Sequence, residues 1–172
     1  MRLSALGALL LLLPACFGGN GPNLTESGKG KPRISVRFPA TVESGSVHEA
    51  VVRVSNPGPG DINVLAIAFS LVGPDPGATE FPAPLVALGA RRTNESIVSV
   101  SPEPTGISDQ ATVYTFGPLD GAPRLPTGGS ITITFVLKVP EGPGSAANSI
   151  QAYDGHEIDR AQGVRLATEV RS

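Results

Sequence analysis

The sequence predicts an all-β protein, a two-sheet antiparallel sandwich of about seven to nine strands. Three observations predict this class. Glycine and proline are frequent, with 21 and 17 residues among 172, and charged residues make up only 16%. Apolar side chains alternate with polar ones in several short runs. Segments rich in Gly, Pro and Asn separate these runs, as expected for short strands joined by tight turns.

The clearest strand is predicted over residues 130–139, where every odd position from 131 to 139 is apolar. We expect it to be a central strand with one buried face. Weaker alternation predicts seven further strands, at residues 34–38, 48–54, 62–71, 96–100, 111–116, 149–153 and 164–170. Within the third of these strands, Leu65, Ile67, Phe69 and Leu71 are expected to share the buried face. The proline-rich residues 73–93 are predicted to form an excursion or an edge, because proline cannot donate to a central ladder.

The N-terminus predicts export. Arg2 precedes a mainly apolar run at residues 3–13, which is too short to cross a hydrocarbon core of ~30 Å as a helix. The run ends in Leu13-Pro14-Ala15-Cys16, which resembles the bacterial lipobox and departs from it at Pro14. The resemblance implies that residues 1–15 are a lipoprotein signal peptide and that Cys16 carries a diacylglycerol and a fatty acid such as palmitate. The alternative is an ordinary secretory leader that leaves Cys16 inside the mature chain.

The segment after the cysteine predicts a flexible tether and the membrane in which the protein is located. Residues 16–32 are rich in glycine and poor in apolar residues, which favours a flexible linker, and the folded domain is expected over residues 33–172. Phe17 stands where the enterobacterial sorting pattern places Asp for retention at the inner membrane. By this resemblance the chain is exported and lipid-anchored to the outer membrane, on its periplasmic or its surface face.

Two turn motifs resemble a known family. Asn56-Pro57-Gly58-Pro59-Gly60 follows a predicted strand, and Gly128-Gly129-Ser130 precedes a threonine-rich one. They resemble the corners of a bacterial cell-surface repeat, a conserved domain of unknown function, and of the cell-adhesion-related bacterial domain. The resemblance covers residues 33–172. It implies an immunoglobulin-like sandwich and a non-enzymatic module of cell-surface and adhesion-type proteins.

Metal-capable side chains cluster once, after the strand predicted at residues 149–153. Asp154, His156, Glu157 and Asp159 could help bind Ca²⁺, or His156 with a carboxylate could hold Zn²⁺, although neither set completes a coordination shell alone. The alternative is a solvated polar loop. The only other histidine, His48, has strand spacing relative to Ala50 and is predicted to be structural.

The sequence favours binding over catalysis. It contains no nucleophile elbow, no zinc-protease helix motif and no phosphate loop, so we expect no enzyme and no cofactor beyond the lipid. Nucleic acid is not expected as a partner, because the net charge is −2 and the basic residues are dispersed.

The first hypothesis is a membrane-anchored envelope module that meets another envelope protein or a cell-wall component; its oligomeric state stays open. The alternative is a Ca²⁺- or glycan-binding module that uses loops at one end of the sandwich, and the lack of Trp weakens its glycan version.

Overall fold

The computed structural model describes residues 30–74, 76–89, 95–108, 112–155, 157 and 160–172. Within these residues the chain forms ten β-strands. They are β1 (Arg33–Arg37), β2 (Thr41–Glu43), β3 (Val47–Ser55), β4 (Leu65–Ser70), β5 (Ile97–Ser101), β6 (Gly106–Ile107), β7 (Val113–Phe116), β8 (Ser130–Lys138), β9 (Gly144–Asp154) and β10 (Gln162–Arg171). No helix in the described ranges is long and apolar enough to cross a membrane.

The strands form two sheets, which confirms the predicted all-β sandwich. The four-stranded sheet has the order β1-β3-β8-β5, and the six-stranded sheet has the order β2-β10-β9-β4-β7-β6. Two details differ from the prediction. The described strands number ten because β2 and β6 have only three and two residues, too few to show alternation. The pair β2–β10 is parallel, whereas the prediction was a wholly antiparallel sandwich.

The parallel pair follows from a change of sheet early in the chain. After β1 the backbone passes through residues 38–40 and joins the other sheet as β2. There Thr168 donates its hydroxyl to the Pro39 carbonyl at 2.8 Å, and the Glu169 N–H donates to the Ala40 carbonyl at 3.0 Å. These bonds lead into the parallel ladder in which Thr41–Glu43 pairs with Glu169–Arg171.

The core lies between the two sheets. β8 is an interior strand of its sheet, as predicted, and its side chains Ile133, Phe135 and Leu137 are fully buried. The rings of Phe69, Tyr114 and Phe135 pack edge to face, with centroids 5.0–6.1 Å apart. Such aromatic contacts add stability beyond the area they bury. The prediction that Leu71 shares the buried face is wrong, because β4 ends at Ser70 and the Leu71 side chain is exposed.

We name the two ends of the sandwich by the chain segments that lie there. At the end that we call the entry end, Gly30 donates its N–H toward the Asp61 carbonyl at 3.2 Å and toward Asp154 Oδ2 at 3.1 Å. Gly30 and Pro32 are buried, so packing against the sandwich begins inside the segment that the sequence assigned to the tether. At the opposite end, which we call the far end, lie the turn at residues 44–46 and the start of β9.

The proline-rich segment is an excursion that returns to the six-stranded sheet. Ala83 forms a parallel bridge with Ala146 of β9, beyond the point where β4 stops. Asn148, which is buried, accepts from the Val86 N–H at 2.7 Å and donates to the Val86 carbonyl at 3.0 Å. Leu85 and Val86 are buried in the core. The excursion therefore covers the part of β9 that β4 leaves open.

Candidate functional site

The first residue of the predicted cation loop, Asp154, accepts a hydrogen bond from the backbone at Gly30. Asp154 is the last residue of β9, is fully buried and accepts the Gly30 N–H through Oδ2. Glu157 lies with its Oε2 3.6 Å from Arg160 Nε. His156 and Asp159 fall outside the described residues. Within the described part of the chain, no three metal-capable side chains form a group, and the cation hypothesis stays a prediction.

Cys16, the predicted lipidation site, also lies outside the described residues, and its acylation stays a prediction. His48, the histidine expected to be structural, is half-buried on the inward face of β3. Its Nε2 lies 2.9 Å from Ser46 Oγ, and its ring packs edge to face on Phe38 at a centroid distance of 6.1 Å. These contacts anchor the turn before β3.

The Asn56 corner joins two loops at the entry end. The buried Asn56 amide donates to the carbonyls of Gly60 at 2.9 Å and Leu125 at 3.0 Å, and its Oδ1 accepts the Gly58 N–H at 3.1 Å. Gly58 has φ +90°, and a Cβ there would lie 3.1 Å from Thr127 Cγ2. Glycine is favoured at this position because of its positive φ, and an added Cβ would also crowd Thr127. The motif that the sequence singled out thus has a structural function.

The open side of the sandwich carries a groove. β5 and β6 are the edge strands of the two sheets, and between them lies a cleft of about 440 Å³, which we call the β5 groove. In the described part of the chain it is lined by Ile97, Val98, Ser99, Val100, Glu103, Pro104, Ile107 and Tyr114. The Val98 side chain is 60% exposed and that of Ile107 is 45% exposed. The groove therefore presents apolar side chains to solvent beside a strand edge.

The four strand edges differ in how well they are protected against further pairing. β1 carries exposed arginines at Arg33 and Arg37, β2 has three residues and β6 has two. β5 has five residues, Ile-Val-Ser-Val-Ser, without a charge or a proline. A bulge between Ile97 and Ser99 marks the position of the exposed Val98. Charges, short length and bulges are the usual means of blocking edge pairing, and β5 has only the bulge, so it is the edge least protected by charge and length among the described strands.

The β5 groove contains one charged side chain and one buried tyrosine among its described residues. Glu103 is exposed and is the only carboxylate among the described residues that line the groove. The Tyr114 side chain is neutral at physiological pH, and burial raises its pKa further, to about 12. The groove therefore offers an apolar surface, an open strand edge and one negative charge. The sequence predicted a strand here but did not identify it as an edge, since sheet order depends on partners distant in the chain.

Comparison with known proteins identifies a class of fold and no family. No family model and no curated protein matches the sequence. Solved structures of similar fold include a PapD-like domain of human CEP192, with 16% identity over 100% of this chain and 96% of that chain and a TM-score of 0.40. BslA, a bacterial hydrophobin, has 11% identity over 81% of this chain and 98% of its own, with a TM-score of 0.45. The CARDB domain of the PF1109 protein from Pyrococcus furiosus, in complex with di-metal ions, has 12% identity over 89% and 100%, with a TM-score of 0.42. The chain is a two-sheet β-sandwich, and these likenesses concern that fold alone.

Proposed function

We propose that this protein is a lipid-anchored lipoprotein of the bacterial envelope whose sandwich is a non-catalytic interaction module. The observation that supports this function best is the β5 groove, where Val98 and Ile107 are exposed beside an uncharged edge strand. Exposed apolar surface of this kind is typical of sites that meet another protein. The partner is a second envelope protein or a cell-wall component.

The chain entry sets how far the proposed module can lie from the membrane. The Gly30 N–H is held at the entry end by Asp61 and Asp154, so the anchor at Cys16 connects to that end. Fourteen Cα–Cα steps separate Cys16 from Gly30, a maximum reach of roughly 50 Å. The entry end therefore lies within this distance of the membrane in the proposed arrangement.

The anchor itself follows from the lipobox. Each buried CH₂ contributes about 0.8 kcal/mol of membrane affinity, and two or three acyl chains on Cys16 make the attachment durable. In a cell with two membranes, Phe17 favours the outer one. The lipid leaves the sandwich free to search the space above the membrane surface.

Replacement of the cysteine tests the anchor. We expect the full chain to fractionate with membranes and to carry the mass of its acyl groups on Cys16. The Cys16→Ala variant should move to the soluble fraction, whereas Ser27→Ala, a neutral change in the predicted tether, should not. A free Cys16 thiol in the mature native protein, or an uncut leader, would contradict the proposal.

Photo-crosslinking in the native envelope tests the interaction module. A photoreactive amino acid is placed, one position at a time, at four exposed sites: Val47, Leu71, Val98 and Ile107. We expect a discrete product with an envelope protein or a cell-wall fragment from at least one position. The absence of a product from all four would overturn the proposed interaction module.

A further inference from the structure

We propose that the β5 groove binds an extended segment of a partner protein, which adds to the four-stranded sheet as a new strand beside β5. Alternate apolar side chains of this segment enter the groove, and a lysine or arginine of the segment pairs with Glu103. The proposal rests on the interaction module proposed above and names the chemistry of its partner.

The backbone of β5 supports strand addition. β5 pairs with β8 through Ser99 and Val136, Val100 and Phe135, and Ser101 and Thr134. No strand among the described residues pairs with its other edge. An added strand would hydrogen-bond with that edge, which is the source of affinity when an extended peptide joins an exposed sheet edge.

The side chains around the groove favour an apolar, alternating segment. In an added strand, every second side chain points to the same face at a spacing of about 6.8 Å. The inward set would meet Val98 from β5 and Ile107 from β6, both exposed in the structure. Because Ser99 and Ser101 are small, they leave the outer face of the edge open to a neighbouring strand.

The charge around the groove favours a different protein over a second copy of this chain. Among the described residues that line the groove, Glu103 has no cationic neighbour. A second β5 edge would bring residues 97–104, which contain another Glu103 and no lysine or arginine. A basic residue on the added strand would place opposite charges together, so the groove complements a basic, apolar segment.

Binding of defined peptides to the full chain in detergent tests strand addition. The probe is a fluorescent nine-residue peptide that alternates Val and Thr around one central Lys, and binding is measured by anisotropy. We expect Val98→Lys to weaken binding roughly tenfold. Val47→Lys, the same substitution at an exposed position on β3, should alter it less than about twofold. A peptide with Pro at alternate positions, which lacks the N–H groups, should not bind.

A charge exchange tests the role of Glu103. Glu103→Lys should weaken binding of the Lys peptide and strengthen binding of a matched Glu peptide, each by roughly two- to fivefold. An unchanged preference would overturn the assigned ion pair. Equal losses from Val98→Lys and Val47→Lys, or no binding of the Lys peptide up to about 1 mM, would overturn strand addition.

The crosslinking positions separate this inference from the broader function. Products with another protein from Val98 and Ile107, with none from Val47 or Leu71, support binding in the β5 groove. Products from Val47 or Leu71 alone would overturn the groove as the site and leave the interaction module standing. A crosslinked dimer of this chain through Val98 would overturn the choice of partner. No product anywhere would overturn both proposals.

Discussion

Replacement of Asn56 should destabilise the fold strongly, because its amide satisfies three backbone groups at the entry end. Asn56→Ala would leave the Gly60 and Leu125 carbonyls and the Gly58 N–H without their side-chain partner. A hydrogen bond contributes about 1 kcal/mol, and a buried group left without a partner costs about 1–3 kcal/mol. Because the bond to Leu125 is buried and the bonds to Gly60 and Gly58 are part-buried, we expect a loss of about 2–4 kcal/mol of unfolding free energy, a large share of the 5–15 kcal/mol typical of a domain.

Urea denaturation of the chain without residues 1–16 measures this loss. The matched control is Asn63→Ala, since Asn63 is half-buried and makes no side-chain hydrogen bond with a described residue. The control should change the unfolding free energy by less than about 0.5 kcal/mol. Asn56→Asp should be destabilising as well, because it replaces the amide donor with an oxygen that faces the Gly60 and Leu125 carbonyls.

Equal losses from Asn56→Ala and Asn63→Ala would refute this reasoning. They would show that the two loops are held by backbone contacts alone. Those contacts exist: the Asn56 N–H donates to the Gly129 carbonyl at 2.9 Å, and the Gly128 N–H donates to the Asn56 carbonyl at 2.6 Å. A wild-type midpoint for Asn56→Asp would likewise show that the amide donor is dispensable.

Three further predictions concern other parts of the molecule. Asn148→Ala should free the excursion at Val86, which limited proteolysis would detect as faster cleavage; an unchanged rate would contradict it. Burial raises the pKa of Tyr114 from about 10 to about 12, so the stability this residue contributes is complete below pH 10 and is lost as the pH rises toward 12. Tyr114→Phe should therefore lose less unfolding free energy between pH 8 and pH 11 than the wild type, and equal losses would refute this. Since Asp154 already accepts the Gly30 N–H, Ca²⁺ and EDTA should give the same melting midpoint, and a rise with Ca²⁺ would support a cation site.

The sandwich could be predicted because burial on one face produces a period of two in the sequence. This period is complete in β8, where alternate side chains from Ile133 to Leu137 are buried, and in β3. β2 and β6 could not be found in this way, because two or three residues carry no period. Leu71 continues the alternation of β4, but the chain leaves the sheet at Ser70 and exposes it. Periodicity thus predicts the face of a strand better than its end.

The site was harder to predict because it depends on strand pairing. Residue types drew attention to the loop after β9, where the structure uses Asp154 to hold Gly30. The β5 groove instead combines Val98 with Ile107 and Tyr114, which belong to different sheets. A local signal existed, since residues 97–101 contain no charge. It became informative only when β5 proved to be an edge.

Anchoring and partner binding use separate parts of the sandwich in the proposed function. Tension from the lipid would reach the domain through Gly30, and from there pass to Asp61 and to Asp154 at the end of β9, an interior strand. β5 is attached to the rest of its sheet through β8 alone. A partner strand can therefore extend the four-stranded sheet without disturbing the hydrogen bonds at the entry end. By the same argument, Val98→Lys should reduce partner crosslinks from Ile107 and leave the protein in the membrane fraction, whereas Cys16→Ala should release the protein and leave peptide binding intact.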